Sequence, residues 1–215
     1  MRSDAPRAQQ KQQTRRHVLA SAQRVFAAKG YGATQVRDIV KSAGVSIGTF
    51  YHYFDSKEAA FNELVLAGSR TLREAIRNGR HRRGSNLIDQ TQASVYTFLR
   101  FTREHEDLFR ILIRERSRSN SWSLPLGDQL FREAVSDLIA DMARSFRGSR
   151  LTPKEIELLA WATVSTCVGV VMRKLENREP IDLDTEPALL TRLICGGLIA
   201  CTRGNLDIPA ALKTG

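Results

Sequence analysis

Three aromatic rings stand in succession at Tyr51-His52-Tyr53, and an Asp-Ser-Lys-Glu run follows at Asp55–Glu58. Tyrosine hydroxyls and a histidine ring donate hydrogen bonds to phosphates, and Thr49 can reach a base edge or a backbone oxygen. A soluble helix hides such rings on one face, so rings at successive positions cannot all be hidden. Phe50 and Phe54 are one turn apart and share a buried face. Ile47, Gly48, Thr49, Tyr51, His52 and Tyr53 then lie partly or wholly on the other side. Gly48 has no side chain, so its backbone can approach a groove closely. Ile47 either touches a thymine methyl or covers the helix.

Lys57 is badly placed for stability. It falls in the first turn of a helix, where the macrodipole disfavours a cation by ~0.3–1 kcal/mol. The same helix end offers free N–H groups to an anion, so the lysine makes sense if a phosphate arrives. The alternative is an exposed lysine that tolerates a small cost. Arg37 either pairs with a guanine or stays solvated near Asp38.

Helices must position these residues. Val18, Ala22, Val25 and Phe26 put one apolar stripe on a first helix, which Gly30 stops. A short second helix fits Gln35–Ala43, with Thr34 as its N-cap. Gly44 breaks the chain. Ser46 caps a third helix over Ile47–Phe54, and Asp55 begins a fourth with Glu58 as an acidic capping box. That helix runs to about Asn78. Helix, Ala-Gly-Val turn, helix is the spacing of a helix-turn-helix, whose second helix can enter a major groove. Beyond a basic linker, Arg77–Ser85, helices fit Asn86–Glu104, Asp107–Arg118, Asp128–Phe146, Pro153–Asn177 and Pro187–Arg203. Thr152 and Glu155 cap the one starting at Pro153. No segment alternates as a strand, so the fold class is all-α.

Composition agrees. The chain has 215 residues, 42% hydrophobic and 26% charged, as in an ordinary soluble domain. Its formal charge is +10. Residues 1–60 hold ten Lys/Arg against four Asp/Glu, a net +6 of that total. Such a balance favours polyanions. The start is polar, with no apolar signal region. The most apolar window, LLAWATVSTCVGVVM, is shorter than the ~20 residues of a membrane helix. No membrane partner is expected. Cys167, Cys195 and Cys201 show no C-x-x-C spacing and read as small buried hydrophobes in a reducing, cytoplasmic setting.

The stretch AAKGYGATQVRDIVKSAGVSIGTFYHYFDSKEAAF, Ala27–Phe61, resembles the DNA-binding domain of the tetracycline-repressor (TetR) family. G-x-x-x-T, A-G-V-S-x-G-T-F-Y-x-Y-F and the acidic-Ser-Lys-Glu run fall at that family's spacing. The resemblance implies DNA contacts at Arg37, Ile47, Gly48, Thr49, Tyr51, His52, Tyr53 and Lys57, with Thr34 and Ser46 as capping contacts. It implies a flexible basic arm at 1–12, a helix-turn-helix domain at 13–57, and a helical ligand-binding and dimerisation domain at 58–215. It implies a homodimer that represses from a palindromic DNA operator, a small-molecule effector, no cofactor and no metal. The last two helices, the penultimate one apolar on more than one side, are the candidates for pairing, with plain intrachain core as the competing reading.

The middle helices should enclose an apolar pocket, with Phe98, Phe101, Phe109, Leu112, Ile113, Arg116, Trp122 and Trp161 as candidates. Core packing is the competing reading for each. Asp107–Ser119 is similar to a segment of FabR/DesT-type regulators of fatty-acid synthesis and desaturation. That likeness implies a fatty acyl or acyl-coenzyme A effector, with Arg110, Arg114, Arg116 or Arg118 near its acidic end. A solvated basic face is the alternative. A second basic cluster, Arg70, Arg73, Arg77, Arg80, Arg82 and Arg83, reads either as surface or as a source of long-range attraction to DNA. An enzyme finds no support in the motifs: no H-E-x-x-H, P-loop, G-x-S-x-G or Rossmann pattern occurs. The other rival, a basic-surface binding module without sequence-specific recognition, would not need rings at 51–53.

Overall fold

The computed structural model describes residues 4–81, 86–119, 125–148 and 151–203. Nine helices and no strand occur among the described residues: α1 Asp4–Lys29, α2 Val36–Ala43, α3 Ile47–Tyr53, α4 Lys57–His81, α5 Leu87–Glu104, α6 Glu106–Ser119, α7 Pro125–Ser145, α8 Pro153–Glu176 and α9 Glu186–Arg203. The chain divides into two compact units, residues 1–71 with 104–130, and 72–103 with 131–215.

The first unit is built around a core that α1 starts. Val18, Ala22 and Phe26 are fully buried on its stripe. Ile39 and Val40 of α2, Phe50 and Phe54 of the α3 segment, and Ala60, Phe61 and Val65 of α4 close over them, with Leu108 and Ile111 of α6. Removing such apolar area from water is the main term that holds short helices in place. Phe26, Tyr31 and Phe61 form a ring cluster, with centroids 5.4 Å, 5.7 Å and 4.7 Å apart. The structural unit therefore extends beyond residue 57, because α2 and α3 are too small to bury their own apolar faces. Helix α1 also begins at Asp4, so residues 4–12, expected as an arm, are helical.

Two helix starts differ from expectation. Gln35, not Thr34, caps α2, and its N–H donates to Asp38 Oδ2 at 3.0 Å. Thr34 is buried, and its hydroxyl donates to Gly30 O at 2.7 Å. At α4 the cap is Ser56, whose Oγ accepts from Ala59 N at 3.0 Å.

In the second unit, the arginines read as surface prove to be partly inward. Arg73 bonds Glu133 and Asp137 of α7 at 2.6–2.9 Å. Arg80 pairs with Asp141 and donates to Ser94 Oγ at 2.7 Å. Burial pushes the Arg80 guanidinium below its ordinary pKa. Helix α8 starts as expected, with Thr152 Oγ1 accepting from Glu155 N and Glu155 accepting from Thr152 N. It is long and apolar enough to cross a membrane, by length and composition alone, which the shorter sequence window did not suggest. Cys195 is buried and Cys167 partly so, its thiol pushed up to about 11 by burial; Cys201 is exposed, against expectation.

Candidate nucleic-acid interface

The site is a short helix held up by two sharp turns. Gly44 ends α2 at φ 63, a left-handed conformation that glycine adopts without steric cost. Val45 N then donates to Val40 O at 3.1 Å. Ser46, extended at φ −76 and ψ 158, opens α3, and its Oγ accepts from Thr49 N at 3.0 Å. The Thr49 hydroxyl lies 2.9 Å from the same Oγ, so these two side chains satisfy each other locally.

Phe50 and Phe54 anchor the segment, exposed by only 0% and 3%. They face inward, 5.5 Å apart. That burial fixes what faces out. Ile47 and Tyr51 are each 52% exposed. Gly48 and His52 are also exposed. Among the described residues, a Cβ added at Gly48 would meet only Ser46 Oγ, at 3.8 Å, so none of them requires glycine there. The ring question is thereby answered: Tyr51 and His52 point out, while Tyr53 is half-buried and packs on the core. The His52 and Tyr53 rings meet edge to face at 5.0 Å.

The flanking cations divide into free and committed groups. Arg37 is exposed and forms no ion pair among the described residues, because Asp38 takes Lys29 Nζ at 2.7 Å instead. That bond holds the Asp38 carboxyl below the usual carboxylate range. Lys57 does not stand free. Its Nζ donates to Tyr31 O and Thr34 O, both at 2.8 Å, and lies 4.3 Å from the Tyr31 ring centroid. The ammonium fastens the α1–α2 turn to the start of α4, which offsets its unfavourable place in the helix dipole. Sequence reasoning could not see this partner, 26 residues away. Arg15 was missed altogether. It pairs with Glu63, and its guanidinium carbon lies 5.2 Å from the Phe54 ring centroid. His17 Nε2 donates to Ala43 O at 3.0 Å. Helix α1 thus clasps both ends of the turn and helix that carry the exposed face.

Residues 18–64 match the family described as bacterial regulatory proteins, tetR family. The matched segment holds α2, α3 and the turn between them. Solved structures share the fold over most of the chain. A TetR-like transcriptional regulator from Rhodococcus sp. RHA1 is 22% identical, over 86% of this chain and 96% of that one, with TM-score 0.65. The fatty acid degradation regulator FadR from Bacillus halodurans is 20% identical, over 86% and 95%, with TM-score 0.71. A tetR-family regulator from Streptomyces coelicolor is 17% identical, over 90% and 83%, with TM-score 0.66. The chain thus has a TetR-type regulator fold, an N-terminal helix-turn-helix domain followed by a helical C-terminal domain.

The residues expected to line a pocket fall into both units of the chain. Phe98, Phe101 and Trp161 belong to one, and Phe109, Leu112 and Ile113 to the other. Phe101 and Ile113 are buried, and Leu112 packs on the first unit's core. The Phe131 and Trp161 rings lie 5.0 Å apart. Arg110, expected at a ligand's acidic end, donates to Glu106 at 2.6 Å. Trp122 and the side chain of Arg116 lie outside the described residues, as do the side chains of Arg114 and Arg118.

Proposed function

We propose that this chain is a ligand-responsive repressor that binds a palindromic operator as a homodimer in the cytoplasm. The outer face of α3 carries the reading. Ile47, Gly48, Tyr51 and His52 are exposed on a helix whose other face is locked into the core, and that is the arrangement a groove-reading helix needs. Arg37 on α2 adds a cation without an ion-pair partner. Thr34 leaves the proposed contact set because it is buried. Ser46 serves first as the α3 cap, and Thr49 supplies the N–H it accepts.

Random-site selection should return a near-palindrome, with log K falling steeply against log salt. No sequence preference in the selected pool would sink the repressor reading. Tyr51→Ala should weaken binding to the selected site about tenfold, the worth of one phosphate or base-edge contact. Its melting temperature should stay within about a degree of wild type, since exposed substitutions move stability by ~0.5 kcal/mol or less. Titration by fluorescence anisotropy beside a thermal melt checks both.

Pairing is supported by α8 and α9. Leu158 and Trp161 on α8, and Leu189 and Leu193 on α9, are 68%, 40%, 60% and 63% exposed. Around Gly169, Gly196 and Gly197 nothing among the described residues lies within 4 Å of an added Cβ, so those residues give no packing reason for glycine on these helices. A second copy of the same helices, approaching closely, supplies one. Two symmetric heads then read half-sites about 34–36 Å apart, or a multiple of that. The effector proposed is a fatty acyl group or its coenzyme A thioester. It is supported by the likeness of Asp107–Ser119 to acyl-responsive regulators and by the shared fold of a fatty acid degradation regulator.

A further inference from the structure

The first unit hides its large apolar side chains with two exceptions among the described residues. Ile47 and Tyr51 are each 52% exposed. They stand one turn apart and so share a face of α3. Ile47 belongs neither to the core cluster nor to the partly buried residues packed against it, although its neighbours Val45 and Tyr53 do. Covering the helix, one of the two roles open to it from sequence, is therefore not its role. An apolar side chain held out beside a tyrosine, on a head with net charge +6 over residues 1–60, faces a polyanion sooner than an apolar protein surface.

The same face is short of polar groups that could tell bases apart. Helix α3 holds no Arg, Lys, Asn, Gln, Asp or Glu. Those are the side chains that pair with the edges of guanine, adenine and cytosine. The Thr49 hydroxyl lies 2.9 Å from Ser46 Oγ, which also accepts from Thr49 N. The Gln35 side chain is taken up in capping α2. At the start of α3 there remains a branched hydrocarbon beside Gly48, which is exposed and adds no side chain of its own. Base edges are reached from the early residues of the second helix of a helix-turn-helix. In the major groove, thymine is the base that offers an apolar group, its C5 methyl.

We propose that Ile47 reads the C5 methyl of a thymine, so that each half-site is specified at that position by an apolar contact and not by a bidentate hydrogen bond. This rests on the operator-binding reading given above. It makes Ile47 a specificity-determining residue, with Tyr51 beside it supplying affinity that does not depend on the methyl.

The test uses the full-length protein and duplexes of the selected site in which each thymine in turn is replaced by deoxyuridine. Uracil pairs with adenine as thymine does but lacks the C5 methyl. One such position in each half-site should weaken wild-type binding about fourfold, which is ~0.8 kcal/mol for a buried methylene-sized group at ~1.4 kcal/mol per decade. Replacement in both half-sites should cost about 15-fold, since distant sites add. Ile47→Ala should bind the thymine and uracil duplexes alike, and Ile47→Val should keep part of the preference. The ratio is taken within each protein, so a general loss of affinity or of folding cancels. Tyr51→Ala is the control: it should lower affinity on both duplexes and leave the wild-type ratio. 5-Methylcytosine carries the same methyl on a C·G pair, so at that position it should outbind cytosine by a similar factor. A selected site in which no uracil weakens binding overturns this inference alone, as does an Ile47→Ala protein that keeps the wild-type ratio. A uracil penalty without any gain from 5-methylcytosine overturns it too, since the A·T pair and not the methyl would then be read. A fall in the mass of the free protein on Ile47→Ala would assign the residue to a contact between copies, with the same consequence. A wild type that selects no site overturns the operator reading as well.

Discussion

Leu189→Glu/Leu193→Glu is expected to yield a folded monomer that has lost operator binding. The two leucines lie one turn apart on α9 and are more than half exposed in the protomer. Neither belongs to a buried cluster, so exchange for a charged residue costs the single chain little. In a two-fold interface each change counts twice. Burying a leucine is worth ~1.5–3 kcal/mol, and an unpaired carboxylate at an interface costs more. Four such positions together weaken association by at least ~6 kcal/mol, about 10⁴-fold at ~1.4 kcal/mol per decade. Sedimentation equilibrium should show the change in mass, while circular dichroism keeps its helical signal. A dimer that survives the double change would mean that this face is not where the copies meet.

Lys57→Ala is expected to lower the melting temperature and operator affinity together. The ammonium holds two carbonyls of the α1–α2 turn, and hydrogen bonds to charged groups are worth ~1.5–3 kcal/mol each when buried. Lys57 is half-buried, so about 2 kcal/mol for the pair is reasonable after solvent screening. That corresponds to a fall of roughly 4–8 °C for a chain of this size. A loosened turn lets α2 shift under α3, and affinity should drop about tenfold. Arg cannot place its planar fork as the lysine does, so Lys57→Arg should recover only part of the loss. A variant that loses affinity while melting unchanged would return Lys57 to the role of a phosphate ligand. Thermal melts and titrations on one preparation separate these outcomes.

The head of this fold was legible because its signals are local. Gly44, Ser46 and Thr152 each act within four residues of where they stand, and glycine and hydroxyl caps announce helix ends in any sequence. Phe50 and Phe54, one turn apart, were enough to assign the inner and outer faces of α3. What stayed hidden depends on partners distant in the chain. Arg15 meets Glu63 across 48 positions, and Arg73 meets Asp137 across 64. No window on the sequence contains both members of either pair. Thr34 looked like a cap because threonine so often is one, but Gly30 offers its hydroxyl a carbonyl, and Gln35 takes the cap position. The arginines between Arg70 and Arg83 look alike in sequence. The carboxylates of α7, remote in sequence, are what Arg73 and Arg80 meet.

Gly196 and Gly197 sit side by side in the middle of α9, with open space where their side chains would be. Each glycine weakens a helix interior by ~1 kcal/mol relative to alanine. A newly made chain at low abundance would carry that weakness uncompensated, and its last helix would open and close more often than the rest. If copies pair through α9 as proposed, their association would rigidify the segment by mass action. Copy number would then govern the lifetime of the regulator as well as its occupancy of DNA, with scarce chains the more readily degraded.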